Sequence, residues 1–316
     1  MPGPQKITIV TPCFNEEANI EVCVARVRAV METQLPEYDY EHILCDNAST
    51  DGSRAVLRRV ASDDSRVKVI VNSKNVGPFR NMATGLRAAT GDLVIPMIPA
   101  DLQDPPETIP ELVAALTDDV DVVYGIRKNR REGVFMRWAR NSYYRLVRAA
   151  GGDASPPPHA GEFLLARRSV IDAVIPALGS YPYIRGLVAQ ATERTAIVRY
   201  EWGVRTNGKS RNSLPDLIDQ ALNGIVSTAR APIRVAMFLG IFLAIAGILY
   251  GIVSTILFVT GAVQADPGIP TLIVAVTLFG GIQLLFLGLI GEYVVSIQSE
   301  VRPSPRAVQV ERINLD

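Results

Sequence analysis

The sequence predicts an α/β domain with a mainly parallel sheet, followed by two membrane-spanning helices. Strand and helix patterns alternate through the first 213 of the 316 residues, which favours parallel strands covered by helices on both faces. Two stretches without a charged side chain follow, at 236–260 and 269–291. Each would extend about 35 Å as a helix, enough to cross a hydrocarbon core about 30 Å thick.

The first strand and helix are predicted from residues 6–34. KITIVTP is apolar and β-branched, as a buried strand requires. Asn15 is placed to cap the helix that follows. Ile20, Val24, Val27 and Met31 recur at helical spacing and predict its buried face.

Four further strands are predicted in EHILCD, VKVIV, GDLVIPMI and VDVVYG, then a short one in EFLLA before a helix from about Arg168. In a parallel sheet of this kind, ligands bind beyond the carboxyl ends of the strands. Charged side chains follow those ends: Glu16 after the first strand, Asp46 after the second, Asp101 and Asp104 after the fourth, and Arg127 after the fifth. The sequence therefore predicts a polar site at one edge of the sheet.

Several classes of protein lose support from composition and motifs. No G-x-G-x-x-G follows a strand and no G-x-x-x-x-G-K-[ST] occurs, which argues against a dinucleotide-binding enzyme and a P-loop ATPase. The formal net charge is zero and predicts no nucleic-acid partner. Cys13, Cys23 and Cys45 have no metal-ligand spacing and are predicted to be buried free thiols in a reducing compartment.

The membrane segment divides the chain into four parts: a soluble domain at 1–213, an amphipathic membrane-surface helix at 214–235, two spans within 236–295, and a tail at 296–316. The loop between the spans, GAVQADPG, has no Lys or Arg, whereas Arg230 and Arg234 precede the first span and Arg302 and Arg306 follow the second. This bias predicts a multi-pass protein of the cytoplasmic membrane, with both termini and the soluble domain in the cytoplasm. Glycine-lined helix faces permit a homodimer or homotetramer.

The acidic stretch MIPADLQDPPE raises the question of what its carboxylates bind. Asp101 and Gln103 present hard oxygens two residues apart, on one side of an extended segment. Such oxygens suit Mg²⁺ or Mn²⁺, which would keep its remaining positions for waters and phosphate oxygens. An acidic turn that leads into a helix, with Pro106 at its first position, explains the same letters without a metal.

Seven motifs in order resemble family 2 glycosyltransferases of the polyprenyl-phosphate type, such as dolichol-phosphate mannose synthase and undecaprenyl-phosphate glucosyltransferases. They are VTPCFNEEANI, CDNASTDGS, NVGPFRNMATGL, PADLQDPPE, VYGIR, GEF and RTNGKS. The resemblance covers nearly the whole chain. It implies a GT-A nucleotide-sugar-binding domain and transfer of a sugar, with inversion, from a UDP- or GDP-linked donor to a polyprenyl phosphate for cell-envelope glycan or glycoconjugate synthesis.

The resemblance also implies roles for individual residues. Asp101 and Gln103 would hold the metal and the donor diphosphate. Glu162 occupies the position where the family usually has an aspartate near the sugar, and Arg127 would bind the acceptor phosphate. The remaining substrate-binding residues would be Pro12, Phe14, Glu16 and Asp46 at the nucleoside, Arg137 at the acceptor phosphate, and Arg205 and Ser210 over the diphosphate.

Three positions depart from the family pattern, and two alternative functions stay open. Pro99 replaces the usual first aspartate and removes one oxygen ligand, Pro78 replaces His or Lys, and Leu164 replaces arginine. These changes are compatible with another sugar, another metal dependence or lost activity. The alternatives are transfer to a different lipid acceptor by the same fold, and a non-catalytic membrane partner that binds nucleotide sugar.

Overall fold

The structure is a computed structural model that describes residues 5–128, 156–157, 160–179, 182–201, 203, 268–301 and 307–315, with a few single residues between 249 and 260. The predicted membrane-surface helix, most of the first predicted span, and Arg137, Arg205 and Ser210 lie outside the described residues. In chain order, the described elements are β1 (Lys6–Cys13), α1 (Glu17–Gln34), β2 (Asp39–Asp46), α2 (Ser53–Asp63), β3 (Val67–Asn72), α3 (Pro78–Ala88), β4 (Leu93–Ile95), a 3₁₀ turn (Pro106–Thr108), α4 (Ile109–Ala114), β5 (Val122–Lys128), β6 (Ala160–Arg167), α5 (Arg168–Val174), a second 3₁₀ turn (Ile175–Ala177), α6 (Ile184–Ala191), β7 (Thr195–Glu201), α7 (Ile269–Val301) and β8 (Gln309–Ile313).

The eight described strands form one sheet in the order β7-β5-β6-β4-β1-β2-β3-β8. β1 pairs in parallel with β2 and β4, β2 with β3, and β5 with β7, whereas β6 and β8 run antiparallel to their neighbours. The carboxyl ends of β1 to β5 and β7 therefore share one edge with the amino end of β6. We call this end of the strands the site edge. The mainly parallel α/β fold is confirmed.

Helix α1 illustrates how the sequence pattern produces the packed layer. Ile20, Val24, Val27 and Met31 are all buried, as predicted. The predicted cap is wrong. Asn15 lies before the helix with a φ of 56°, and its side-chain oxygen accepts a hydrogen bond from the backbone N–H of Thr50 instead.

Strand β4 is shorter than predicted because a proline interrupts it. The predicted strand GDLVIPMI retains strand geometry only over Leu93–Ile95, since Pro96 has no N–H to donate. One further hydrogen bond to β1 forms beyond the proline, where the N–H of Ile98 donates to the carbonyl of Val10 at 2.9 Å. The chain therefore leaves the sheet directly before the acidic stretch.

The second predicted membrane span, 269–291, lies within helix α7. Within the described ranges of the chain, no helix combines the length and the apolar character needed to cross a bilayer. The membrane hairpin therefore stays a prediction.

The last strand comes from the segment that was predicted to be a tail. β8 pairs antiparallel with β3, and the N–H of Ser73 donates to the carbonyl of Val308 at 2.8 Å.

Side chains also attach this segment to the domain. Arg58 on α2 forms two hydrogen bonds of 2.8 Å to the Glu311 carboxylate. Asn314, with a φ of 57°, donates its amide to the carbonyls of Ala61 and Val67, each at 2.8 Å. The tail thus covers the edge of β3.

Replacing Asn314 tests this attachment. Asn314→Ala removes the amide bonds and places a residue with a Cβ in the left-handed region, so we expect a loss of about 1–2 kcal/mol in the free energy of unfolding. Asn314→Gly keeps the backbone freedom and is expected to lose less. Urea unfolding of the full-length protein measures both values, and equal stability of Asn314→Ala and wild type would contradict the attachment.

A buried carboxylate ties three strands together at the opposite end of the sheet. Glu41 on β2 is 1% exposed at its side chain and accepts hydrogen bonds from Lys68, Thr8 and the backbone of Thr90, all at 2.6 Å. Burial raises the pKa of Glu41. The bonds from Lys68, Thr8 and Thr90 and the charge of Lys6 outweigh burial and lower that pKa to about 2.

Glu41→Gln should therefore destabilise the protein in a pH-dependent way. Because the folded-state pKa is depressed, the stabilisation is complete above the unfolded pKa of about 4.5 and disappears as pH falls through about 2. We expect a loss of about 2–4 kcal/mol at pH 7 that shrinks below pH 4. Urea unfolding at several pH values measures this loss, with Glu37→Gln at an exposed turn as the control. A loss that does not change with pH would contradict the assignment.

Candidate functional site

The loops after β1 and β2 hold each other through side chains. The backbone N–H of Asn15 donates to Ser49 Oγ at 2.9 Å, and the N–H of Glu16 donates to Ser53 Oγ at 2.9 Å. In return, the N–H of Thr50 donates to Asn15 Oδ1 at 2.8 Å. These bonds satisfy backbone donors at the start of α1 and in the loop before α2. The two loops consequently form one surface at the site edge.

The four residues predicted to line the nucleoside pocket lie at this surface or directly beneath it. Pro12 and Phe14 are partly buried at the end of β1 and just beyond it. The Glu16 carboxylate accepts a hydrogen bond from the Asn19 amide. Asp46, the last residue of β2, is fully buried and pairs with Cys13 in the strand register. The structure therefore brings Pro12, Phe14, Glu16 and Asp46 together.

The Asp46 carboxylate is already engaged. It accepts hydrogen bonds from the N–H of Ser49 at 3.1 Å and from Nε of Arg54 at 3.1 Å. Arg54 is 37% exposed at its side chain. The buried acid thus fixes both the turn after β2 and a solvent-accessible guanidinium.

Two buried thiols lie beneath the acidic residues of the site edge. Burial raises the pKa of Cys13, and Cys23, Cys45, Asp46 and Glu16 raise it further. Burial together with Asp101 and Glu16 raises the pKa of Cys23 to about 12, against the effect of Thr11 and Arg26. The thiols are buried and free, as predicted, and they stay protonated at neutral pH, which excludes them as nucleophiles.

The acidic stretch folds into a tight turn after β4. The N–H of Leu102 donates to the carbonyl of Pro99 at 3.1 Å, and Leu102 has a φ of 59°, which is uncommon for a leucine. Asp101 is 7% exposed, and its Oδ1 accepts a hydrogen bond from the N–H of Gln103 at 3.2 Å. Pro99, which replaces an acidic residue of the family pattern, thus serves as the acceptor that closes this turn.

Asp104 attaches the turn to the neighbouring strands. Its carboxylate, in a residue 3% exposed, accepts hydrogen bonds from Nε and Nη2 of Arg127 at 3.1 and 3.0 Å and from the hydroxyl of Tyr200. Beyond β7, the N–H of Gly203 donates to the carbonyl of Gln103 at 2.9 Å. The chain that leads to the RTNGKS segment therefore lies directly against the acidic turn.

Arg127 reaches the site edge, as predicted, and its guanidinium is hydrogen-bonded there to Asp104 and to the Tyr200 hydroxyl. Burial lowers its pKa, while Asp104 and Tyr200 raise it by a larger amount, so the group stays charged. The side chain remains 26% exposed. Sequence reasoning missed Tyr200, although TAIVRYE alternates and ends at the same edge.

Glu162 lies at the amino end of β6 and so reaches the site edge from an antiparallel strand. Its side chain is 10% exposed, with Oε1 3.7 Å from Nε of Arg185. Its Oε2 accepts a hydrogen bond from the backbone N–H of Arg185 at 3.1 Å. Burial raises the pKa of Glu162, and Arg185 opposes that effect. Sequence reasoning missed Arg185, which no local pattern connects to Glu162.

The oxygens present set limits on a metal site. The described residues hold no group of three His, Cys, Asp or Glu side chains able to bind a metal by themselves. Asp104 is hydrogen-bonded to Arg127, and the oxygens predicted to bind a metal are those of the Asp101 carboxylate and the Gln103 amide. Two hard oxygens fit Mg²⁺ or Mn²⁺ when a diphosphate and water complete the coordination.

Comparison with known proteins gives consistent family assignments. The sequence model of glycosyl transferase family 2 matches residues 8–175. The chain is 32% identical over 303 residues to undecaprenyl-phosphate 4-deoxy-4-formamido-L-arabinose transferase of Proteus mirabilis, covering 95% of this chain and 92% of that protein. It is 31% identical over 312 residues to the SfII prophage-derived bactoprenol glucosyl transferase of Shigella flexneri, covering 96% and 97%.

The chain also aligns with a solved structure. The complex of glucosyl-3-phosphoglycerate synthase from Mycobacterium tuberculosis with Mn²⁺, UDP-glucose and phosphoglyceric acid aligns with a TM-score of 0.46 and 23% identity, over 70% of this chain and 78% of that one. The family model spans more than half of the chain, and the two curated relatives match nearly all of it. This chain belongs to glycosyltransferase family 2.

Proposed function

We propose that the protein transfers a sugar from a UDP- or GDP-linked donor to a polyprenyl phosphate at the cytoplasmic face of a membrane. The observation that carries this proposal is the placement of Glu16, Asp46, Asp101 and Glu162 at the site edge, where the topology makes the ends of β1, β2, β4 and β6 neighbours. Both curated relatives described above have names that specify a polyprenyl-type acceptor, and each matches at least 95% of the chain.

On the donor side, the surface formed by the first two loops binds the nucleoside. Pro12 and Phe14 offer apolar contact, while Glu16 and Asp46 accept hydrogen bonds from the hydroxyl and amide groups of ribose and base. Arg205 and Ser210 are proposed to bind the diphosphate, as the resemblance implies. In support of this role, Gly203, which precedes them in the chain, is hydrogen-bonded to the carbonyl of Gln103 in the acidic turn. Glu162 faces the sugar from β6.

Asp101 and Gln103 would hold Mg²⁺ or Mn²⁺ together with the diphosphate. Such an ion, when bound, would supply positive charge to the departing nucleoside diphosphate. The buried position of Asp101 keeps its carboxylate in a region of low dielectric constant, where charge interactions are strong. With Pro99 in place of an acid, the protein contributes one carboxylate, and metal affinity is expected to be weak.

The acceptor needs no dedicated base. A lipid monophosphate has a second pKa near 6, so it is largely ionised at neutral pH. One of its oxygens forms a bond to the anomeric carbon while the bond from that carbon to the diphosphate breaks, which inverts the configuration. Arg127 and Arg137 bind the acceptor phosphate and align it. Catalysis then depends on alignment and charge stabilisation.

The membrane part of the proposal rests on the two uncharged stretches, 236–260 and 269–291, and on the basic residues outside them. Several apolar side chains of α7 are exposed, among them Leu272 at 64%, Leu284 at 71% and Leu287 at 63%. Burial of such side chains in lipid would remove them from water. Residues 214–235 would lie on the bilayer surface and hold the catalytic domain near its lipid acceptor.

Transfer of radiolabel from a panel of UDP- and GDP-sugars into extractable lipid tests the reaction. Full-length protein is supplied with undecaprenyl phosphate and with Mg²⁺, Mn²⁺ or EDTA. We expect metal-dependent transfer from one donor, reduced at least 100-fold by Asp101→Asn and unchanged by Asp63→Asn at an exposed site. Nucleotide-sugar binding without transfer to undecaprenyl phosphate or to extracted glycolipids would overturn the proposal in favour of a non-catalytic partner.

The network of Asp104 predicts two further phenotypes. Arg127→Ala leaves a buried carboxylate without its cation, so we expect a loss of about 3–5 kcal/mol in the free energy of unfolding together with loss of transfer. Tyr200→Phe removes one hydrogen bond to Asp104 and should lower the transfer rate several-fold, with about 1 kcal/mol less stability. Unfolding and transfer assays on the same samples measure both, and wild-type stability of Arg127→Ala would refute the network.

A further inference from the structure

Arg185, at the start of α6, contacts the opening residues of β6 in three ways. Its backbone N–H donates to Glu162 Oε2 at 3.1 Å, and its Nη1 donates to the carbonyl of Ala160 at 2.9 Å. Its Nε lies 3.7 Å from Glu162 Oε1. A single residue thus sets both the path of the strand and the orientation of the Glu162 carboxylate.

An aromatic ring supports the guanidinium from the other side. The Arg185 guanidinium carbon lies 4.9 Å from the centroid of the Tyr183 ring, in the range of a cation–π contact. The Tyr183 ring also packs so closely on Gly186 that a Cβ at that position would collide with it. The sequence YPYIRGL therefore places Arg185 through packing within one helical turn.

The groups near Glu162 differ in charge. Arg185 on α6 supplies positive charge at 3.7 Å from the carboxylate. Burial raises the pKa of Tyr124 on β5, and Glu162 and Tyr183 raise it further, so this phenol stays neutral. The Tyr124 hydroxyl is buried and has no hydrogen-bond partner among the described residues. Among the residues that the structure describes, Arg185 therefore favours the charged form of Glu162.

We propose that Arg185 is a positioning residue that keeps Glu162 ionised and directed toward the donor sugar. The inference rests on the proposed function and deepens it. An ionised Glu162 accepts hydrogen bonds from sugar hydroxyls and stabilises positive charge that develops at the anomeric carbon. A protonated Glu162 cannot stabilise this positive charge, and it accepts fewer hydrogen bonds because one of its oxygens carries a proton.

The test compares the pH dependence of kcat/KM for the nucleotide sugar in full-length wild type, Arg185→Lys and Arg185→Met. Loss of the cation raises the pKa of Glu162, so its ionised form disappears at a higher pH. We expect Arg185→Met to lose at least 10-fold at pH 6 and less at pH 8, with partial rescue by Arg185→Lys. Ionisation of the lipid acceptor affects all variants alike.

A Glu162→Gln background provides the control. There, Arg185→Met should change kcat/KM by the same factor at every pH, because no carboxyl group remains to titrate. A pH-independent loss in both backgrounds would overturn the proposal and assign Arg185 a structural role.

Infrared titration of the Glu162 carboxylate band, taken as wild type minus Glu162→Gln, measures the pKa directly without turnover. A higher pKa in Arg185→Met supports the proposal, and an unchanged pKa overturns it. Absence of transfer in wild type combined with the expected pKa shift would reject the proposed function while leaving the role of Arg185 toward Glu162 intact.

Discussion

The bond between the Asp104 carboxylate and the Arg127 guanidinium holds the site edge together. Asp104 belongs to the turn that carries Asp101 and Gln103, while Arg127 and Tyr200 belong to strands β5 and β7. Burial of an unpaired carboxylate costs free energy. The turn is therefore stable only where Arg127 and Tyr200 can bond to the Asp104 carboxylate. The positions of Asp101 and Gln103 therefore depend on an ion pair whose arginine is also the proposed ligand of the acceptor phosphate.

Local spacing predicted much of the fold because many determinants are local. The four buried residues of α1 follow a helical period, and β1 to β3 are apolar runs that form parallel pairs. The carboxyl ends of those strands then share an edge by topology alone, which is why Glu16, Asp46 and Asp101 were predicted to lie together. A single proline, Pro96, accounts for the shortened β4.

What the sequence did not reveal depends on contacts between distant positions. Tyr200 donates to a residue 96 positions away, and Arg185 reaches Glu162 over 23 positions through the start of a helix. No periodicity encodes such pairs, since the sequence around each partner is that of an ordinary surface residue. The acidic stretch showed the same limit, because its charge predicted a cation but could not distinguish a metal from the Arg127 side chain.

Strand β8 has a consequence for synthesis of the protein. Arg58 and Glu311, which join α2 to this strand, are 253 positions apart. A ribosome therefore completes β1 to β7, and then both uncharged stretches, before it makes β8. During that interval β3 is an open edge, able to pair with other strands. The nascent chain must avoid such pairing while its sheet is incomplete, and β8 closes the edge only after residues 236–260 and 269–291 have been made.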